Sequence, residues 1–285
     1  MEKHSIKPEI WFVEPGSIVR TIWGSSDTVL LVFAGSAAEF ALNKSVDWLY
    51  YTGKLPADPI GRLFSTVKYA QAIVFWPREE ALAAIDQINK IHGGVERQRG
   101  RKIPDSAYLD VLFMLIDYTI RSYELLERRL TAREKADIYA VFLRLGTSMH
   151  LKGLPPDFSA WEQMRATYLE RNLENGDLTK DLYHRYRIAL GGLRYKILLG
   201  GQALLVPPRV KELLGLPSGR WMRPMVTLYK LARLLRLDRA VKTLLLPKPY
   251  RNQLPALDAA PKTGRSSRSL STPAKRYRTP NGTAP

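Results

Sequence analysis

Residues 58–95 read Asp58-Pro-Ile-Gly-Arg62-Leu-Phe-Ser-Thr66-Val-Lys-Tyr69-Ala-Gln-Ala-Ile73-Val-Phe75-Trp-Pro77-Arg-Glu-Glu80-Ala-Leu-Ala-Ala-Ile85-Asp-Gln-Ile-Asn-Lys-Ile-His92-Gly-Gly94-Val95. Two helices are written here. Asp58-Pro59 is a start signal, an acidic cap followed by a proline whose fixed φ suits the first helical position. On the helix that follows, Arg62, Thr66, Tyr69 and Ile73 fall at i, i+4, i+7 and i+11 and share one face. Pro77-Arg-Glu-Glu80 opens the second helix, predicted to run to Lys90 and His92 and to stop at Gly93-Gly94.

The same signals recur on both sides. Thr131-Ala-Arg-Glu134 and Ser159-Ala-Trp-Glu162 read as capping boxes. Tyr108 to Arg129 carries Leu112, Leu115, Ile116, Thr119, Ile120 and Tyr123 on one face. Leu182 to Leu199 is helical in pattern, with Gly191-Gly192 as a kink or close-packing point. The run from Thr28 to Asn43 is uncharged except for Glu39, too short to span a membrane, and reads as a buried core helix. No series of alternating strands with hairpin turns occurs. The fold class is all-α.

Composition narrows the chemistry. The 285 residues include no cysteine, which excludes disulfides, thiolate zinc sites, iron–sulfur clusters, a cysteine nucleophile and a thiolate-ligated haem. The four histidines (His4, His92, His150, His184) are too scattered for zinc spacings. Net charge is +17, unevenly spread. Residues 1–200 hold 27 Lys/Arg against 24 Asp/Glu, and residues 201–285 hold 17 against 3. The C-terminal third therefore reads as the part that meets an anionic surface.

Within it, Arg223 to Leu245 alternates Leu and Val with Lys230, Arg233, Arg236, Arg239 and Lys242, a basic amphipathic pattern. Peripheral attachment to an anionic membrane is the functional reading. A helix packed on the body with its cations in solvent is the structural one. Nucleic acid fits less well, because the tail has no stacking aromatic beyond Tyr277. Tyr183, Tyr186 and Tyr195, interleaved with arginines, read as a solvated helix face. From Pro261 the chain has six Lys/Arg, no acid and no core-forming pattern. The expected organisation is an arm at 1–14, an all-α domain at 15–222, a basic helical segment at 223–250 and a disordered tail at 251–285. The N-terminus lacks a secretory apolar core, so the expected location is cytoplasmic, with peripheral membrane association.

Two places hold candidate chemistry. Arg62 and Thr66, one turn apart, present a charged fork and a hydroxyl to a bound oxygen species. Alternatively, Arg62 pairs with an acid on a neighbouring helix and Thr66 bonds back to its own backbone. His92 continues the stripe of Ile85 and Ile88 and points inward, which suits metal ligation or a helix cap. His150 and His184 read as surface residues.

Asp-Pro-x-Gly-Arg62-x-x-x-Thr66-x-x-Tyr69, followed by Ile91-His92-x-x-Val95, resembles the MpaB/latex-clearing-protein family of haem oxygenases. The resemblance extends from about Pro15 to Tyr168. It takes in the small-residue helix from Leu31 to Leu42, Asp117 to Glu124 before Leu130-Thr131, and Leu154-Pro-Pro before Trp161. It implies an all-α domain around a haem b pocket, with dioxygen and an apolar, isoprenoid- or lipid-like substrate. His92 is implied as the iron and haem ligand, with Arg62 and Thr66 as catalytic residues on the distal side. The helix Leu30 to Ala41 is expected to offer hydrocarbon walls to that substrate. Three positions depart from the family pattern: Asn43-Lys44 where relatives often carry His-Pro, Leu112 where they often carry a histidine, and Ser65 where the rubber-cleaving members carry lysine. A serine hydroxyl is a poor iron ligand, so a lysine-closed state is not expected. The contrasting reading is a non-catalytic all-α protein bound to an anionic surface.

Overall fold

The computed structural model describes residues 10–258. Fourteen α-helices occur among them: α1 Ile18–Trp23, α2 Ser26–Leu42, α3 Asp47–Tyr51, α4 Lys54–Ala57, α5 Pro59–Phe75, α6 Arg78–Arg99, α7 Asp105–Leu126, α8 Ala132–Ser148, α9 Phe158–Arg171, α10 Asp177–Leu205, α11 Pro208–Leu213, α12 Met222–Leu234, α13 Asp238–Leu245 and α14 Leu254–Asp258. A 3₁₀ turn, Lys248–Gln253, precedes α14. No strand forms among the described residues, only isolated bridges between Trp11 and Pro77 and between Asn43 and Leu173. The all-α fold predicted from the sequence is the fold observed, and it is a single domain.

Helix α2 sits at the centre, between α7 and α10. Its closeness to α7 depends on Gly35, where a Cβ would lie 2.3 Å from the Tyr118 ring. The small residues of α2 thus fill the core. Helix α2 also buries Ser26, Asp27, Thr28, Ser36 and Glu39. Leu30 to Ala41, expected to offer hydrocarbon walls, lies on the helix that forms the packing axis.

Local signals fare unevenly. Asp58 caps α5 by accepting from the Gly61 N–H, with Pro59 at the first helical position. Thr131 and Glu134 form the reciprocal capping box of α8. By contrast, α6 passes straight through Gly93-Gly94 and ends at Gly100, whose φ of 68° supplies the left-handed cap. The cap of α9 is Asp157, not Ser159. Gly191 (φ 73°, ψ 166°) breaks α10 into two helices across a kink.

A second small core forms where Ala41, Val46 and Leu55 meet Leu182 and Tyr186. Tyr183 packs against it and donates to Gln202 (3.0 Å), whose amide donates to the Ala34 carbonyl (3.0 Å). Tyr183 and Tyr186 are therefore core residues, not a solvated face. Residues 251–258, expected to begin a disordered tail, are also folded: Leu254 and Leu257 are buried, and the Leu257 carbonyl accepts from Gln71 (3.1 Å). The rest of the expected tail, residues 259–285, lies outside the described residues.

Candidate functional site

Helices α5 and α6 pack antiparallel after the turn at Trp76-Pro77. Counting back from that turn sets Arg62 opposite His92. The guanidinium is close enough that its charge, after burial itself, pushes the His92 imidazole below its ordinary pKa, against the opposing pull of Glu96. His92 is therefore neutral at pH 7. Its ring is half-buried, and its buried Nδ1 has no hydrogen-bond partner among the described residues. A neutral imidazole nitrogen without a partner is chemically able to ligate a metal.

Arg62 is also unmatched. Its Nη1 donates to the Ser65 hydroxyl (3.3 Å), and no carboxylate lies within 4 Å of it among the described residues. Burial lowers its pKa, with Tyr69 opposing, but a guanidinium stays charged at neutral pH. The salt bridge to a neighbouring helix, one of the two readings of the sequence, is absent among the described residues. Thr66 follows the structural reading: its hydroxyl donates to the Arg62 carbonyl (3.1 Å). Ser65 donates to the same carbonyl (2.7 Å).

His92 also lines a cleft of about 230 Å³ with Gly93, Glu96, Asp105, Tyr108 and His150; Arg62 and Thr66 do not line it. The Tyr108 ring centroid lies 5.2 Å from that of His92. Glu96 accepts from the Ile103 N–H (2.9 Å) and from the Tyr108 hydroxyl (3.4 Å), which ties the start of α7 to α6. With no side chain, Gly93 keeps the wall beside His92 low: a Cβ there would meet only the mobile end of Arg97, at 3.4 Å. His150, read from sequence as a surface residue, is exposed but lines this cleft, and it holds φ of 60° at the end of α8. A left-handed histidine where glycine or asparagine is usual is a feature the sequence did not reveal. His184 is exposed on α10, far along the chain from this site.

The three departures have structural roles. Leu112 is buried in the main core. Asn43 accepts from the Ser45 N–H (2.8 Å), and Lys44 donates to the Arg171 carbonyl (2.7 Å), stitching the end of α2 to the end of α9. Among the described residues no cluster of three His, Cys, Asp or Glu forms a metal site, so any iron would rest on one histidine.

What the sequence did not disclose is a buried ion network at the centre. Arg165 of α9 donates through Nη2 to Glu39 (2.6 Å) and to Asp117 (3.1 Å), and Tyr118 donates to Glu39 (3.0 Å). The only signal was Glu39, the lone charge in the run from Thr28 to Asn43. Burial alone would lower the Arg165 pKa, but Glu39 and Asp117 outweigh it and hold the guanidinium above its ordinary value.

A comparison with known families gives one match. The sequence model for "ER-bound oxygenase mpaB/B'/Rubber oxygenase, catalytic domain" matches residues 23–253, well over half of the chain. No curated protein matches it.

Proposed function

Because the chain belongs to this mpaB/rubber oxygenase catalytic-domain family, we propose that it is a haem-b-dependent oxygenase with His92 as iron ligand and Arg62 as the distal charge. The observation that carries the reading is a pair of unmatched groups on facing helices: a buried imidazole nitrogen without a partner and a half-buried guanidinium without an acid. The donor chemistry fits the group, because a haem iron takes one neutral imidazole and needs no carboxylate cluster. Bound haem would supply the redox-active iron at which dioxygen is activated.

The chain's own residues then have defined tasks. His92, kept neutral by burial and by Arg62, offers a nitrogen without first losing a proton. Arg62 would place a permanent positive charge and several N–H donors beside bound dioxygen, and among the described residues no acid within 4 Å competes for them. Thr66 has its hydroxyl proton committed to the Arg62 carbonyl, so as it stands it offers lone pairs. Donating toward dioxygen requires exchanging one hydrogen bond for another. An apolar, isoprenoid- or lipid-like substrate rests on the family resemblance, since no residue of α2 lines the cleft beside His92.

The test is hemin titration of the full chain followed by its absorption spectrum. Wild type should bind one hemin and show an intense Soret band. His92→Ala should lose affinity by more than about tenfold while its helical circular dichroism stays unchanged. A wild-type chain that takes up no hemin overturns the reading. Unchanged binding by His92→Ala overturns the ligand assignment and moves it to His150, across the same cleft.

A further inference from the structure

Helix α12 is built inside out. Its inward stripe is polar: Tyr229 donates to Asp27 (2.6 Å), and Arg233 reaches both Asp27 (3.0 Å) and Glu127 (2.6 Å). On α13, Lys242 is buried against Asp27 (2.8 Å), Asp238 (2.9 Å) and the Ser26 hydroxyl (2.7 Å). Two of the five cations expected to meet an anionic surface are thus spent on holding the segment to the first turn of α2. The outward stripe of α12 is apolar. Met225, Leu228, Leu231 and Leu235 stand one above another, and Leu234 and Leu237 crown the turn into α13. Leu234 is 79% exposed and Leu228 57%. In a helix shaped by water alone these faces would be exchanged.

We propose that α12 and α13 form a membrane-docking element whose leucine crest enters the boundary between headgroups and acyl chains of an anionic bilayer. Charge on the same segment selects this occupant. Residues 213–237 contain no acid, and exposed Arg220, Arg223, Lys230 and Arg236, with Arg239 beyond, have no carboxylate within 4 Å among the described residues. An apolar crest flanked by unpaired cations matches hydrocarbon bordered by lipid phosphates. A second copy of the chain would bring like charges together. Residues 259–285 are no better a cover: they carry six more cations, and Leu270 and Tyr277 are their only large apolar side chains. At the same end of the molecule, Arg194 of α10 donates to the Leu244 carbonyl (3.0 Å), and Leu193 beside it is 74% exposed. The docking element is independent of the haem assignment, because the bonds that hold it run to Ser26, Asp27 and Glu127 and to none of Arg62, Thr66 and His92.

Point substitutions test this better than truncation, which would strip Asp27 of its cations. Full-length protein without hemin is sedimented with vesicles of phosphatidylcholine alone or with a quarter phosphatidylglycerol. Wild type should bind the anionic vesicles and retain part of that binding in high salt. The triple variant Leu231→Glu, Leu234→Glu and Leu235→Glu should lose at least about tenfold in affinity at any salt, with unchanged melting temperature. Arg223→Gln, Lys230→Gln and Arg239→Gln should each cost about fivefold on anionic vesicles only. Wild-type binding by the leucine variant, or no binding by wild type, overturns the proposal. So does a leucine variant that abolishes self-association of free protein and leaves vesicle binding intact, which would make the crest an interface between copies.

Discussion

A buried arginine, Arg165, and a half-buried one, Arg62, stand under opposite conditions. Arg165 is enclosed by Glu39, Asp117 and the Tyr118 hydroxyl, every charge answered within hydrogen-bond reach. Arg62 has a serine hydroxyl and, among the described residues, no acid within 4 Å. A fully answered buried charge locks helices together, because removing any member strands the others in a medium that solvates ions poorly. An unanswered one contributes little to holding the fold and keeps its field for something that arrives later. Charge balance, more than burial, separates the two arginines.

The sharpest way to break this contrast is to remove each arginine in turn. Arg165→Met leaves Glu39 and Asp117 without their shared cation, and unfolding in denaturant should show a loss of about 3–5 kcal/mol. Arg62→Met strands no acid, so its stability should stay within about 1 kcal/mol of wild type. Dioxygen uptake by its haem-loaded form should fall about a hundredfold or more. If Arg62→Met unfolds as readily as Arg165→Met, the contrast fails. A finer test uses Asp110, which lies next to the network and accepts from the Asn172 amide with both oxygens (3.0 Å each). Burial raises its pKa, helped by Glu39 and opposed by Asn43, Asn172 and Arg165. A raised carboxylate gives stability that is present below its unfolded pKa and lost as pH rises through the folded value. Asp110→Asn does not titrate there, so its melting temperature should gain on wild type from acid to neutral pH. The gain should be no larger than one hydrogen bond, about 1 kcal/mol.

How far the sequence could be read follows from the range of each interaction. The α5 start, the Thr131–Glu134 box and the Gly191 break involve groups three or four residues apart, and all three were visible. Gly93-Gly94 looked like a stop because glycine often ends helices. Here the packing of α6 on α5 carries the helix over it to Gly100. Arg62, Thr66 and His92 were identifiable as candidates from spacing and resemblance. That Arg62 lacks an acid, and that His150 shares the cleft of His92, are facts about the absence or presence of distant neighbours. The Arg165 network joins groups 126 and 48 residues apart, and no local pattern marks it. The inversion of α12 escaped for the same reason: a basic amphipathic pattern does not say which face turns inward until Asp27 is known to be waiting.

That waiting carries a consequence for synthesis. Asp27 opens the central helix, yet the cations that neutralise it arrive more than two hundred residues later, and the Ser26 N–H is met by Asp258, 232 positions away. The ribosome must deliver nearly the whole chain before its middle is electrically complete. Closing so long a loop is entropically slow, and contacts this distant in sequence delay folding. These late helices are thus a latch, and a polypeptide released short of them carries an exposed flaw at its very centre.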